Sequence, residues 1–249
     1  MGKESRLGEK FITNQGYEAE IIEYFGATNC TVQFNDEFKT INYKVIYHSL
    51  TVGSVNNRHH RVAYGVGYIG YGKYKIEKSR KNYNVWIRMM ERAYSKKYHQ
   101  KQPTYKDVTV CEEWHNFQNF AKWFEENYNP EIMQDWHLDK DIICPDCKVY
   151  SPETCTFVPT DINFLFTKRQ NKRGDYPIGV SYKSGKFRAT MTRNNSQFYM
   201  GAFSTPNEAF QAYKKGKEDW IKIVANKWKD KIKPEVYDAL INYKVEITD

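Results

Sequence analysis

No stretch of this chain approaches the ~18 consecutive apolar residues that a membrane-spanning helix needs, so no membrane segment is predicted. The opening Met1-Gly2-Lys3-Glu4-Ser5-Arg6 lacks the apolar run of a secretory leader. The sequence therefore predicts a protein that is not secreted and stays in the cytoplasm. Cysteine is sparse and odd in number, at Cys30, Cys111, Cys144, Cys147 and Cys155. That excludes the disulfide scaffold of small secreted domains and predicts reduced thiols. Carboxylates are scarce in one region. Residues 166–233 hold 16 Lys or Arg against 5 Asp or Glu, a net of +11, whereas the whole chain of 249 residues carries +8. The remainder is near −3, and positive charge is local to the last third. Such a surface draws a polyanion by Coulomb attraction and counterion release; the alternative is a merely solvated lysine face. No small-molecule substrate is expected.

What is present suits a folded protein: 40% hydrophobic and 27% charged residues. Aromatics reach 16%, with 20 Tyr; they read chiefly as core, with base stacking as the other use. The length predicts several small units. Residues 1–80 alternate in short β-rich runs such as Cys30-Thr31-Val32-Gln33-Phe34 and Tyr43-Lys44-Val45-Ile46-Tyr47. Within them Gly65-Val66-Gly67-Tyr68-Ile69-Gly70 matches a dinucleotide fingerprint, but Tyr71-Gly72-Lys73-Tyr74 follows where the motif needs a helix. Apolar spacing predicts helices over 83–98 and 112–127. Residues 136–166 read as strand, loop, strand and short helix, and Lys168-Arg169-Gln170-Asn171-Lys172-Arg173-Gly174-Asp175 is a basic linker.

From Tyr176 three strands are predicted over 178–182, 186–192 and 198–203, joined by Lys183-Ser184-Gly185 and Arg193-Asn194-Asn195-Ser196. Thr205-Pro206-Asn207-Glu208 is a capping box opening a helix. The motifs Gly179-Val180, Lys186-Phe187-Arg188-Ala189, Tyr199-Met200-Gly201-Ala202-Phe203 and Thr205-Pro206-Asn207-Glu208-Ala209 with Ala212-Tyr213 resemble the AP2 DNA-binding domain over about 45 residues. The resemblance implies that the free sheet face reads double-stranded DNA through Ser181, Lys183, Ser184, Thr190, Thr192, Gln197 and Tyr199. Lys186, Arg188, Arg193 and the linker residues Lys168, Arg169, Lys172 and Arg173 complete the expected contact set. Several of these positions carry Arg or Trp in the plant members, so base preference does not carry over.

The segment Leu138-Asp139-Lys140-Asp141... Ser151-Pro152-Glu153-Thr154-Cys155... Asn163 resembles the HNH, or ββα-metal, motif. Together with Trp86-Ile87-Arg88-Met89-Met90-Glu91-Arg92-Ala93-Tyr94 and Glu113-Trp114-His115-Asn116-Phe117, the arrangement is similar to phage-type HNH homing endonucleases that carry an AP2 domain. That resemblance implies Asp139 and Asn163 as ligands of one Mg²⁺ or Mn²⁺, hard oxygens for a hard cation, and nicking of one phosphodiester. The family's histidine base is replaced by Lys140, and Thr154 stands where an orienting Asn is usual. Lysine is ordinarily a cation at neutral pH, without a lone pair to accept a proton, so the base is Lys140, or His137 just before it, or has been lost. Cys144-Pro145-Asp146-Cys147 has the knuckle spacing of a structural Zn²⁺ site, with Cys111 and Cys155 to complete it. The lack of a second such pair favours a tight turn with two free thiols.

The expected architecture is α+β. It has a β-rich unit (1–80), an HNH-like ββα module with two preceding helices (81–167), the linker (168–175), and an AP2-like sheet and helix with a helical extension (176–249). Two functions follow: a metal-dependent DNA endonuclease, in the host cytoplasm if phage-encoded, or a non-catalytic DNA-binding regulator on the same scaffold. A third reading has the N-terminal unit contact protein.

Overall fold

The computed structural model of the chain describes residues 6–77, 80–166, 175–193 and 196–247. The linker cations Lys168, Arg169, Lys172 and Arg173 lie outside these residues. The chain divides into two compact units, Met1–Glu126 with Lys148–Ser151, and Asn127–Cys147 with Pro152–Asp249.

The first unit opens with an antiparallel meander of β1 (Lys10–Ile12), β2 (Glu18–Gly26), β3 (Asn29–Phe34) and β4 (Ile41–Val45) in that order. Alternation along β2 and β3 sends Ala19, Ile21, Val32 and Phe34 to one face. There Leu50 of the short helix α1 (Tyr47–Thr51) and Val55 close a small core. Next come α2 (Lys81–Tyr94), α3 (Lys96–Lys101), β5 (Thr109–Val110), α4 (Glu112–His115) and α5 (Phe117–Asn127). Trp86, Met89, Met90 and Ala93 form the buried stripe of α2 at helical spacing. Its Trp86 Nε1 donates to the Trp114 carbonyl at 2.8 Å. Both long helical periodicities are interrupted, by extended backbone at Ser95 and at Asn116. Ser95 Oγ accepts from Tyr98 N and Asn116 Oδ1 from Gln118 N. Such local acceptors compete with the helical ladder and turn one periodic stretch into two helices.

The glycine-rich run has a packing explanation. A Cβ on Gly67 would lie 2.7 Å from the Trp86 ring, and one on Gly70 2.2 Å from Asn116 Oδ1. These glycines let the loop backbone lie close to its neighbours.

After β6 (His137–Asp139) in the second unit, β7 (Val149–Tyr150) returns to the first, pairing in parallel with β5. The second unit holds a ββα arrangement: β6 pairs antiparallel with β8 (Thr156–Val158), and α6 (Thr160–Leu165) follows. Leu138 and Phe157 are opposed and buried, and α6 contributes Ile162 and Leu165. The C-terminal part is a three-stranded antiparallel sheet of order β11 (Ser196–Phe203), β10 (Lys186–Arg193), β9 (Val180–Lys183). Helix α7 (Pro206–Trp228) covers one side and α8 (Pro234–Asn242) adds Val236 and Leu240 to the interior. The capping box is formed: Thr205 Oγ1 accepts from Glu208 N, and Glu208 accepts from Thr205 N. The mixed α+β class and the C-terminal sheet with its helix are as the sequence implies. The two helical regions expected beside the ββα element instead belong, except for Asn127, to the same unit as the N-terminal sheet.

Candidate nucleic-acid interface

Strand alternation sorts the C-terminal sheet into two faces. Ala189 and Met191 are buried against Ala209, Phe210 and Tyr213 of α7, with Val180, Phe187, Met200 and Phe203 packed around them. The register then fixes what the other face carries. Ser181 lies opposite Arg188, Lys183 opposite Lys186, Thr190 opposite Tyr199 and Thr192 opposite Gln197. Partners directly opposite share a face, so these eight residues line the side away from α7. All are exposed or half-buried, and Tyr199 is 56% exposed. Lys183, Lys186 and Arg188 supply three cations without an ion pair among the described residues, and none of the eight is a carboxylate. Ser184 occupies the hairpin turn with φ +53, followed by Gly185 at +77, a geometry that matches the twist of the strands.

Arg193 stands apart from this set. Its guanidinium sits 4.3 Å from the Phe198 ring centroid and 5.0 Å from that of Trp220, on the α7 side, so it stacks instead of facing outward. The odd register position of Arg193 next to Met191 was the available signal; the position of Trp220 one helix away was not legible in local spacing.

Close approach of sheet and helix depends on missing side chains. A Cβ on Gly179 would fall 2.0 Å from the Tyr213 ring, and one on Gly216 2.1 Å from Met200 Cε. The sheet is therefore held firmly from behind, while its front is not covered by α7 or α8.

The ββα element arranges its chemistry-bearing residues differently. His137 and Asp139 project to one side of β6 and Leu138 to the other. His137 Nε2 is 3.1 Å from Thr160 Oγ1. Asp139 is half-buried, and its Oδ1 accepts from Asp141 N and Ile142 N at 2.9 Å each. Burial pushes its carboxyl above the usual carboxylate range, outweighing those two backbone donors. Lys140 is 5% exposed. Its Nζ donates to the Cys147 carbonyl at 2.9 Å and to the Asp141 carboxylate. It closes the loop that follows β6. Thr154 Oγ1 lies 3.7 Å from Cys155 Sγ, and Asn163, half-buried, is within α6.

One expectation is corrected. Cys144 and Cys147 are joined by a disulfide with Cα atoms 5.5 Å apart, not two free thiols. Cys147 N donates to the Cys144 carbonyl at 3.2 Å and Asp146 adopts φ +68, a tight turn that brings the two sulfurs together.

Among the described residues no three His, Cys, Asp or Glu side chains converge in a way that could hold a metal ion. Asp139 and Asn163 together offer one carboxylate and one amide, so a Mg²⁺ there would depend on water and a phosphate for the rest of its shell. Among the described residues no helix is long and apolar enough to cross a membrane. No protein-family model, curated protein or solved structure matches the chain.

Proposed function

We propose that this protein binds double-stranded DNA through the uncovered face of its C-terminal sheet. The observation that carries the reading is the arrangement of that face: three cations, three hydroxyl-bearing residues, Gln197 and Tyr199 at alternating positions, with no carboxylate among them. Three strands about 4.8 Å apart make a slab about 10 Å across, which fits a major groove about 12 Å wide. Cations meet phosphate oxygens, while Ser, Thr, Gln and Tyr side chains have donors and acceptors for base edges.

For the ββα element we favour the non-catalytic reading. Lys140, in the position of a general base, is buried and its Nζ donates to a carbonyl and a carboxylate, so it lacks the exposure to water that proton abstraction needs. The cleavage reading is supported by one observation: His137 and Asp139 share a face of β6, with His137 exposed. It would use Asp139 and Asn163 as cation ligands and His137 as base.

The test is fluorescence anisotropy with labelled duplex DNA in EDTA, wild type against the Lys183→Gln/Lys186→Gln/Arg188→Gln variant. We expect the variant to lose about 10-fold or more in affinity; equal affinity would remove the sheet face from the account. Supercoiled plasmid with Mg²⁺ or Mn²⁺ then separates the two readings of the ββα element. Nicking that disappears in Asp139→Ala would overturn the non-catalytic one.

A further inference from the structure

Positive charge has a second centre. Residues 73–106 hold 11 Lys or Arg against 2 Asp or Glu, a net of +9. Outside this stretch and 166–233 the chain carries −12. The segment is therefore a basic island in an acidic background, not part of a general lysine excess.

The carboxylates of the first unit leave the middle of this island alone. Arg6, Lys10, Arg61, Lys73 and Arg80 are each held by a glutamate at 2.6–3.2 Å. Arg88, Lys96, Lys97, Lys101 and Lys106 are all exposed and have no ion pair among the described residues. The two acids inside the segment are engaged elsewhere, Glu77 with Arg80 and Glu91 with the Tyr64 hydroxyl.

Three of these lysines sit on α3, which buries none of its six residues. A helix this short and without an apolar face does not persist in water by itself. Other contacts hold it. Ser95 Oγ caps Tyr98 N at 3.2 Å, and the His99 ring is 2.8 Å from the Arg92 carbonyl. The Tyr98 and Tyr105 rings meet edge to face at 5.5 Å. The Arg92 guanidinium hydrogen-bonds the Tyr150 hydroxyl and lies within electrostatic reach of those of Tyr105 and Tyr98. A rigid support of caps and tyrosines thus fixes an element that contributes nothing to the core and presents lysines outward. Lys97 and Lys101 stand one turn apart, about 6 Å along the axis, far enough for each to meet its own phosphate.

We infer that α3, flanked by Arg88 and Lys106, is a second DNA-docking surface that grips the phosphate backbone of a duplex independently of the C-terminal sheet. The inference rests on the reading of this chain as a DNA-binding protein. Lys96, Lys97 and Lys101 are flexible point charges suited to phosphate oxygens, so the contribution of this surface is chiefly affinity and salt sensitivity.

The test is the salt dependence of binding by the full-length chain to a mixed-sequence duplex. Wild type, Arg88→Gln/Lys96→Gln/Lys97→Gln/Lys101→Gln, the sheet-face triple variant and their combination are compared. All the substituted groups are exposed or half-buried, and circular dichroism checks that each variant is folded. Each phosphate contact contributes about 0.9 to the slope of log K against log salt, so the quadruple variant should lower that slope by about 3–4 with unaltered relative preference among duplex sequences. An unchanged slope and affinity in the quadruple variant, with wild type binding normally, would overturn the inference and leave the sheet reading intact. Loss in the quadruple variant with no effect of the sheet variant would support the inference and overturn the sheet reading. Absence of duplex binding by wild type at low salt would overturn both. A slope loss seen on single-stranded RNA but not on duplex DNA would overturn the inference in favour of an RNA partner.

Discussion

Asp36 and Lys140 show how single polar side chains organise loops here. The Asp36 carboxylate accepts from Thr40 N at 2.8 Å, Thr40 Oγ1 at 2.6 Å and Asn57 Nδ2 at 2.8 Å, with both partners nearly inaccessible. Burial would raise its pKa, but the donors from Asn57 and Thr40 together outweigh that and hold it below the usual carboxylate range. A depressed folded-state pKa stabilises the fold above the unfolded carboxylate range and loses that contribution as pH falls through the folded value. Asp36→Asn, which sets an amide donor against the donor of Asn57, should therefore cost about 1–2 kcal/mol at neutral pH. Its deficit relative to wild type should shrink in acid, as paired thermal melts at the two pH values will show. Lys140→Ala leaves the Cys147 carbonyl without its donor and opens a void, a loss of about 2–3 kcal/mol. Calorimetry should register it while DNA affinity in EDTA stays unchanged. At this scale the sequence was only partly legible. It marked Asp139, Lys140 and Asn163 as residues of interest, yet it could not show that the Lys140 side chain turns back onto its own loop. That contact spans seven residues and depends on the turn closed by Cys144 and Cys147.

Among the elements, the C-terminal sheet and α7 were the most readable. Alternation of apolar and polar residues along β10 assigned the two faces, and the capping box marked where the helix begins. The helices of the first unit were readable in existence and not in extent, because Ser95 and Asn116 divert their side chains to nearby backbone N–H groups. Two glycines of the sheet separate strain from crowding. Gly179 has φ +75 and no room for a Cβ against Tyr213, whereas Gly185 has φ +77 and nothing within 4 Å. Gly185→Ala should cost about 1–2 kcal/mol from backbone strain alone. Gly179→Ala adds a collision with a buried ring and should cost about 3 kcal/mol or more. Chemical denaturation of the two variants side by side checks the difference; equal costs would mean that Tyr213 yields freely.

At the scale of the molecule, net charge was a poor guide by itself, since +8 conceals two basic segments and an acidic remainder. Nor does sequence order reveal the division into units, because one short segment is separated from the unit it belongs to. The strand Val149–Tyr150 pairs with Thr109–Val110 and supplies Tyr150 beside Arg92, while the 21 residues from Asn127 to Cys147 belong to the other unit. This bears on how the chain is made. Synthesis proceeds from the N-terminus, so when Glu126 leaves the ribosome the first unit still lacks its last strand and part of the support under α3. It can reach its final state only after the start of the second unit has also emerged, which makes its maturation contingent on its successor. A nascent chain stalled just after Glu126 should be more open to protease around α3 than one stalled well beyond Ser151.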